Sequence, residues 1–339
     1  MNNLRLKKIL GIIVFCSGFF YLYSFVSNLF GGRKVVILMY HRVADSKKEE
    51  LFDCNMISSS KKNFEEQVRH LSSFFNVISF NDLLSYWRNE QHIPKKSVII
   101  TFDDGYKDNY SCAYPILKKY RLPATIFLAT GHIGNNKLFW WDKIAYVVKK
   151  SKIKEFKLKG FGACSLMDRN KAIKSLQRYA KKLEETQKVK FIDQLQKMTK
   201  VRTPNAKNLF LSWSNVREMS KNGIYFGAHS VSHPILTRIS LKQAKHEIIN
   251  SKEKIERETA NQVKVFAYPN GALGDMSDDI GKFLKQSGFS FALSTIYGVN
   301  KLCIDPFRLK RIGIEHDDDM RLFRIKLLGI GKSIASFLK

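Results

Sequence analysis

The chain is poor in cysteine, poor in acid and free of internal repeats. Its five cysteines, Cys16, Cys54, Cys112, Cys164 and Cys303, are isolated in 339 residues, and no two form a Cys-x-x-Cys pair. That spacing excludes a cysteine zinc site and a disulfide framework. One bridge in an oxidising compartment stays open, with no pairing readable from the sequence. Acidic residues number 30 against 58 basic ones, a net charge of +28. Such an excess draws a protein to anionic surfaces such as phospholipid head groups, phosphorylated glycans or nucleic acid, and says nothing about fold. With 44% hydrophobic and 12% aromatic residues, the composition excludes global disorder. The length suits one large domain or two small ones.

One long apolar run stands out. Residues 9–30, ILGIIVFCSGFFYLYSFVSNLF, carry no charge. A helix needs about 20 residues to cross a bilayer. The apolar core of a cleavable signal peptide is shorter, about 7–15 residues, and ends at a small-residue cleavage site. Ser24, Val26 and Ser27 imitate that site poorly. The stretch therefore predicts an uncleaved transmembrane anchor. Arg5, Lys7 and Lys8 favour a cytoplasmic segment 1–8, although Arg33 and Lys34 weaken the bias. The rest of the chain then lies outside the cytoplasmic membrane as a single-pass protein. Its basic surface would face anionic lipid, and nucleic acid is not the expected partner.

Beyond the anchor, seven apolar runs of strand length recur: KVVILMYH, SVIITFDD, PATIFLAT, IYFGAHS, VKVFAYP, FSFALST and RLKRIGI. Segments of helical periodicity separate them, as in NFEEQVRHLSSF, AYPILKKYR and LKQAKHEIINSKEKIERE. Alternating strand and helix implies a parallel sheet. Seven or eight such strands predict a closed or nearly closed α/β barrel, a (β/α)7-8 fold with catalytic groups at the strand ends. Residues 141–208 interrupt the alternation and read as a basic helical insertion. Its lysine-rich face reads first as a solvated helix face, and second as a contact for lipid or glycan phosphate. The terminal segment 316–339 alternates apolar and basic residues. It reads equally as an interfacial amphipathic helix or as a closing helix packed on the barrel.

Two strand ends carry chemistry. SVIITFDDGYKDNY ends an apolar run in adjacent acids, Asp103 and Asp104, then Gly105. Asp-Asp-Gly is by itself a turn signal. Adjacent carboxylates at a strand end can also be split, one toward a metal and one toward a water proton. IYFGAHSVSHP places His229 and His233 four residues apart, where a helical turn would let them converge. Two histidines and a carboxylate make an open site for a divalent metal. Zinc is the first expectation, and cobalt, nickel or ferrous iron would accept the same ligands.

TFDDGY and HSVSHP, in this order and separation, resemble the first two motifs of the polysaccharide deacetylase family, carbohydrate esterase family 4. FAYPNG, residues 266–271, resembles the third. ILMYHRV, LFWWDKIAYVV and DPFRLKRIGI resemble further landmarks of its membrane-anchored and exported bacterial members. The resemblance covers residues 35–315 and implies a deformed barrel. It implies that Asp104, His229 and His233 hold the metal and that Asp103 is the general base. It also implies that the backbone N–H of Asn270 helps hold an oxyanion, with Tyr268 and Pro269 shaping the wall.

The chain departs from the family pattern in two places. The arginine that precedes the third-motif proline by two residues is replaced by Ala267, and Arg311 is the candidate substitute that steadies the base. The late Leu-x-Leu-His, source of the general acid, is absent. Exported members acting on poly-N-acetylglucosamine take the acid from an early Tyr-His strand end, so the resemblance implies His41 of MYHRV for that role, with His316 the runner-up. Asp305 reads either as an orienting partner of Arg311 or the acid, or as a turn residue before Pro306.

The resemblance implies metal-dependent N-deacetylation of an N-acetylhexosamine in a cell-envelope polysaccharide or glycan. Deacetylation or deformylation of an undecaprenyl-phosphate-linked amino sugar is a close alternative. A non-catalytic glycan-binding module is a distant one. The sequence is silent on oligomeric state.

Overall fold

The computed structural model describes residues 34–45, 51–88, 93–135, 137–158, 160–206, 208–301 and 304–329. The expected cytoplasmic segment 1–8 and anchor 9–30 lie outside the described residues, as do Cys16, Cys303 and residues 330–339. Among the described residues, no helix is long and apolar enough to cross a membrane.

Seven parallel strands close a ring in chain order: β1 (Lys34–Tyr40), β2 (Ser97–Phe102), β3 (Ala124–Leu128), β4 (Ile224–Ala228), β5 (Val265–Ala267), β6 (Phe291–Tyr297) and β7 (Leu309–Gly313). Strand β7 returns to β1 through the pairs Leu38↔Ile312 and Met39↔Gly313. Strand β1 meets β2 in register from Val35↔Ser97 to Tyr40↔Phe102. All seven runs read from the sequence are thus strands of one barrel. It is irregular: β4 and β5 pair only at Phe266↔Ala228, and the register of β6 against β7 shifts between Leu293 and Tyr297.

The continuous apolar runs follow from burial on both faces. In β1, Val35 and Ile37 join a cluster with Ile99, Phe127, Leu293 and Leu309, the barrel interior. Val36, Leu38 and Tyr40 pack outward in the cluster that holds Phe64, Leu117, Ile248 and Leu284. Those four belong to the helices α1 (Lys61–Phe74), α3 (Tyr114–Tyr120), α8 (Leu241–Thr259) and α9 (Asp278–Gln286). Helix α2 (Phe80–Arg88) plugs the N-terminal end of the barrel, where Phe80 and Trp87 pack on Phe291 at the start of β6. The C-terminal end is left for the site.

Between β3 and β4 the chain builds α4 (Trp140–Lys150), a hairpin (Glu155–Leu158 with Gly162–Ser165), α5 (Arg169–Ala180), α6 (Glu185–Thr199) and α7 (Trp213–Ser220). The insertion has its own apolar cluster, centred on Val147, Leu176 and Leu195. The wholly helical reading of this region fails at the hairpin. There Glu155-Phe156-Lys157-Leu158 alternates with period two and buries Phe156 and Leu158. Helix α10 (Met320–Leu327) packs on the outside of the barrel, with Phe323 fully buried against His70 of α1. The interfacial reading of that segment is therefore set aside for residues 320–327. Cys112 and Cys164 are free thiols.

Gly227 in β4 fits against Phe127 because it has no side chain. A Cβ would overlap the Phe127 ring and stand 3.0 Å from the Val265 carbonyl. Gly227→Ala is expected to cost about 1–3 kcal/mol, read as a lower urea midpoint with an unchanged slope.

Candidate active site

The register of β1 on β2 sets the first two groups. Tyr40 faces Phe102, so the strand ends place His41 beside Asp103, and the Asp103 N–H donates to the Tyr40 carbonyl at 2.9 Å. Strand alternation carries Asp103 toward the interior, as it carries Arg311 in β7. The guanidinium of Arg311 donates from Nη1 to Asp103 Oδ1 at 2.7 Å and from Nη2 to Oδ2 at 2.8 Å. Its Nε donates to the Ser294 carbonyl at 2.8 Å. Both side chains are buried.

Asp104 takes a different direction because its φ is +77°. Gly105 follows at +79°, where a Cβ would overlap Ile133 and Leu128. Asp104 Oδ1 lies 3.6 Å from His229 Nε2 and 3.5 Å from His233 Nε2. His229 leaves the end of β4 with its N–H on the Leu128 carbonyl at 3.1 Å. Its Nδ1 donates to the Ala267 carbonyl at 2.7 Å, which leaves Nε2 as the free lone pair. The two histidines converge, though not through a helical turn. Ser230 (φ +64°) and His233 (φ +61°) fold the loop back, and the His233 N–H donates to Ser230 Oγ at 3.0 Å. Glu247 of α8 ties the same loop by accepting the Val231 and Ser232 N–H groups at 2.7 and 2.8 Å.

These residues fit a divalent cation. One ligand atom from each of Asp104, His229 and His233 lies within 4.8 Å of the others. The two Nε2 atoms face each other at 3.1 Å, a repulsive arrangement of lone pairs unless a proton or cation lies between them. Asp104 Oδ2 is buried, with no hydrogen-bond partner among the described residues. Two imidazoles and a carboxylate are the borderline donor set that zinc, cobalt, nickel and ferrous iron accept.

The charges are balanced against burial. Burial alone would raise the Asp103 carboxyl, but Arg311 outweighs it and holds the group below the ordinary range. Burial also opposes ionisation of Asp104. The imidazoles of His229, His233 and His41 beside it reverse that effect and place it well below the ordinary range. Burial, then the neighbouring His229, pushes His233 down to about 3, so it is a neutral ligand near pH 7. Burial also works against a charge on His229, yet pairing with Asp104, reinforced by Asp103, holds it above the ordinary imidazole value.

A cavity of about 590 Å³ opens over this cluster. His41, Tyr268 and Asn270 line it from the barrel. His41 is fixed at its backbone, where its N–H donates to Ser58 Oγ at 3.0 Å and its carbonyl accepts from Asn109 Nδ2 at 2.8 Å. Pro269 is buried behind the wall, and Asn270 has φ +62°. Among the described residues, no acceptor takes the Asn270 backbone N–H. Two expectations fail. Asp305 is exposed, accepting the Phe307 N–H and standing 3.8 Å from Arg308, so its contacts are those of a turn residue rather than of Arg311 or His41. His316 is exposed in a separate surface depression beside Asn63 and Glu66, since the chain has left the barrel mouth there for α10.

The insertion supplies the opposite wall, with Trp140, Trp141, Gln177, Lys181 and Lys188. Its basic face is therefore not wholly solvated: Lys188 is buried, paired with Glu185 at 2.5 Å and set over the Trp140 ring. Asp53 completes the rim. The Trp-Trp-Asp run could have flagged the wall in the sequence, because large aromatics before a carboxylate are unusual for a solvated helix. Nothing distinguishes Lys188 from the other lysines around it.

Arg311→Met would leave Asp103 buried and uncompensated, at an expected cost of about 3–5 kcal/mol near neutrality. Because the folded pKa of Asp103 is depressed, its pairing stabilises above the unfolded carboxylate pKa and is lost as pH falls through the folded value. The stability gap between wild type and variant should therefore narrow on acidification below about pH 4, measured by urea denaturation across pH.

The polysaccharide deacetylase family model matches residues 90–292. A poly-beta-1,6-N-acetyl-D-glucosamine N-deacetylase of Staphylococcus aureus is 35% identical over 127 residues, covering 35% of this chain. The chain matches 42% of the length of that relative. Among solved structures, the Streptococcus pyogenes deacetylase PplD in complex with acetate superposes with a TM-score of 0.59 at 21% identity. That match covers 88% of this chain and 97% of that one. IcaB from Ammonifex degensii gives 0.56 at 17% identity, covering 88% and 98%. At these identities the structural likeness speaks to the fold.

Proposed function

The chain belongs to the polysaccharide deacetylase family, and from that premise we propose that it hydrolyses the N-acetyl group of N-acetylhexosamine units in a cell-envelope glycan, releasing acetate and leaving an amine. One observation carries this reading. An arginine-paired carboxylate, Asp103, adjoins a cluster of one carboxylate and two imidazoles, and both open on one cavity.

Asp104, His229 and His233 would hold the divalent cation, zinc foremost. The cation would supply Lewis acidity, polarising the amide carbonyl and lowering the pKa of water from 15.7 toward about 7. Asp103 would take a proton from the attacking water, and Arg311 keeps its carboxylate oriented for the transfer. The Asn270 N–H is the donor for the developing oxyanion, with Tyr268 as the adjoining wall. His41, across the cavity mouth, would protonate the leaving amine. These roles separate base, acid and oxyanion donor onto three strand ends.

A second reading has its own support. The cavity wall includes Lys181, a basic residue that suits a phosphate on a lipid-linked amino sugar, beside Lys188, which is paired with Glu185. We place the barrel outside the cytoplasmic membrane on the charge bias flanking residues 9–30, close to either substrate.

Acetate release from N-acetylglucosamine oligomers and from an envelope lipid extract tests the proposal. The domain should lose activity on chelation and regain it with zinc or cobalt. Asp103→Asn should lower kcat by about 10²–10⁴-fold while still binding metal, whereas His229→Ala should lose the metal itself. Stoichiometric metal without acetate release from any substrate would sink the deacetylase reading.

A further inference from the structure

Several buried carboxylates take no part in the mechanism above, among them Asp53, Asp108, Asp142 and Asp318. Asp142, in the first turn of α4, is fully buried. Its Oδ2 accepts the Tyr106 O–H at 2.6 Å, and its Oδ1 accepts the Asp53 N–H at 3.1 Å. The Tyr106 oxygen in turn accepts the Trp141 Nε1–H at 2.9 Å. The Trp141 ring meets His233 edge-to-face at 4.9 Å and stacks on Phe139 at 4.3 Å. On the other branch, Asp53 Oδ2 accepts from Gln177 of α5 at 2.8 Å, and both residues line the cavity. One carboxylate thus joins the TFDDGY strand end, the cavity rim and the insertion.

We propose that Asp142 is a positioning residue for the reaction: through Tyr106 and Trp141 it seats His233, and through the Asp53 backbone it fixes the rim of the cavity. The proposal rests on the functional reading given above.

The chemistry favours a carboxylate at this position. Both partners of Asp142 are donors, so both of its oxygens must accept. An amide offers one acceptor and would turn an N–H₂ toward a donor. Protonation creates the same conflict. The carboxylate is also kept against the preference of its surroundings. Burial raises the Asp142 carboxyl to about 7, only partly offset by Tyr106, the Asp53 N–H and Arg42, while the Asp53 carboxylate raises it further. Arg42 lies 4.8 Å over the Tyr106 ring and is itself paired with Asp108 at 2.8 Å. With a folded pKa above the unfolded one, this group makes the fold less stable as pH rises through about 7. Asp142→Asn carries no charge to desolvate, so a purely structural role and a positioning role predict opposite pairings of stability and activity.

The test uses the domain with and without added zinc. With N-acetylglucosamine oligomers, Asp142→Asn should lower kcat/KM about tenfold or more, mostly in kcat. Tyr106→Phe with Asp142→Asn should be no worse than Asp142→Asn alone, because both break one chain of contacts. At about pH 8 the melting temperature of Asp142→Asn should stay close to that of wild type, the mismatched amide donor being offset by the charge no longer buried. Zinc affinity at about pH 8 should fall about tenfold or more in Asp142→Asn and in Trp141→Phe, because each loosens the seat of His233. Unchanged kcat/KM, a melting temperature that falls along with activity, or additive effects of the two substitutions would overturn the proposal. If wild type releases no acetate, the functional reading fails, and zinc affinity still decides. An affinity for zinc left unchanged by Asp142→Asn rules out the coupling.

Discussion

Two adjacent buried carboxylates must both stay ionised, and the architecture of the barrel mouth follows from that demand. Asp103 and Asp104 are 2% and 1% exposed, so neither is stabilised by bulk water. Isolated buried charges are costly, and neighbouring like charges raise each other's pKa. The structure separates them by backbone geometry. Asp103 continues the strand and meets Arg311 across the barrel. Asp104, in the left-handed region, turns to the imidazoles. Each carboxylate then has a compensating partner of a different kind, and only the second lies in a donor set that a cation would complete.

The divergence is bought with backbone strain. Four non-glycine residues at the mouth have positive φ: Asp104, Ser230, His233 and Asn270. Such conformations cost about 1–3 kcal/mol each and persist only where the surroundings over-determine them. Here Glu247 binds the histidine loop, Asp275 holds the Asn270 side chain and the Ala272 N–H, and the barrel strands fix the roots of each loop. The strained residues are those whose directions the chemistry needs.

The insertion extends this logic. It folds around its own apolar cluster, so it can be rigid without drawing on the barrel interior. Its contacts with the mouth combine aromatic packing around Trp141 with hydrogen bonds through Trp141, Asp142 and Gln177. The cavity therefore has one wall of strand ends and one of inserted helices. The first carries the reacting groups, and the second sets what can approach them.

The sequence by itself determined the periodic features. Seven apolar runs gave seven strands, because strands buried on both faces must be apolar throughout. Asp103, Asp104, His229 and His233 were legible because they follow such runs directly, and strand ends are where a barrel gathers side chains. The Ala267 position left the guanidinium partner open, and Arg311 could be suggested. Its bidentate contact with Asp103 spans 208 positions of sequence and exists only once β7 closes on β1. Tertiary structure alone decided the rest. Asp305 and His316 had suitable chemistry but sit where the chain faces solvent. Asp53, Gln177 and Lys188 had unremarkable local sequence but meet at the cavity through packing of the insertion. Local pattern fixes which face of an element is buried, whereas a site is made by residues distant in the chain, and their meeting depends on ring closure and loop direction that no local period encodes.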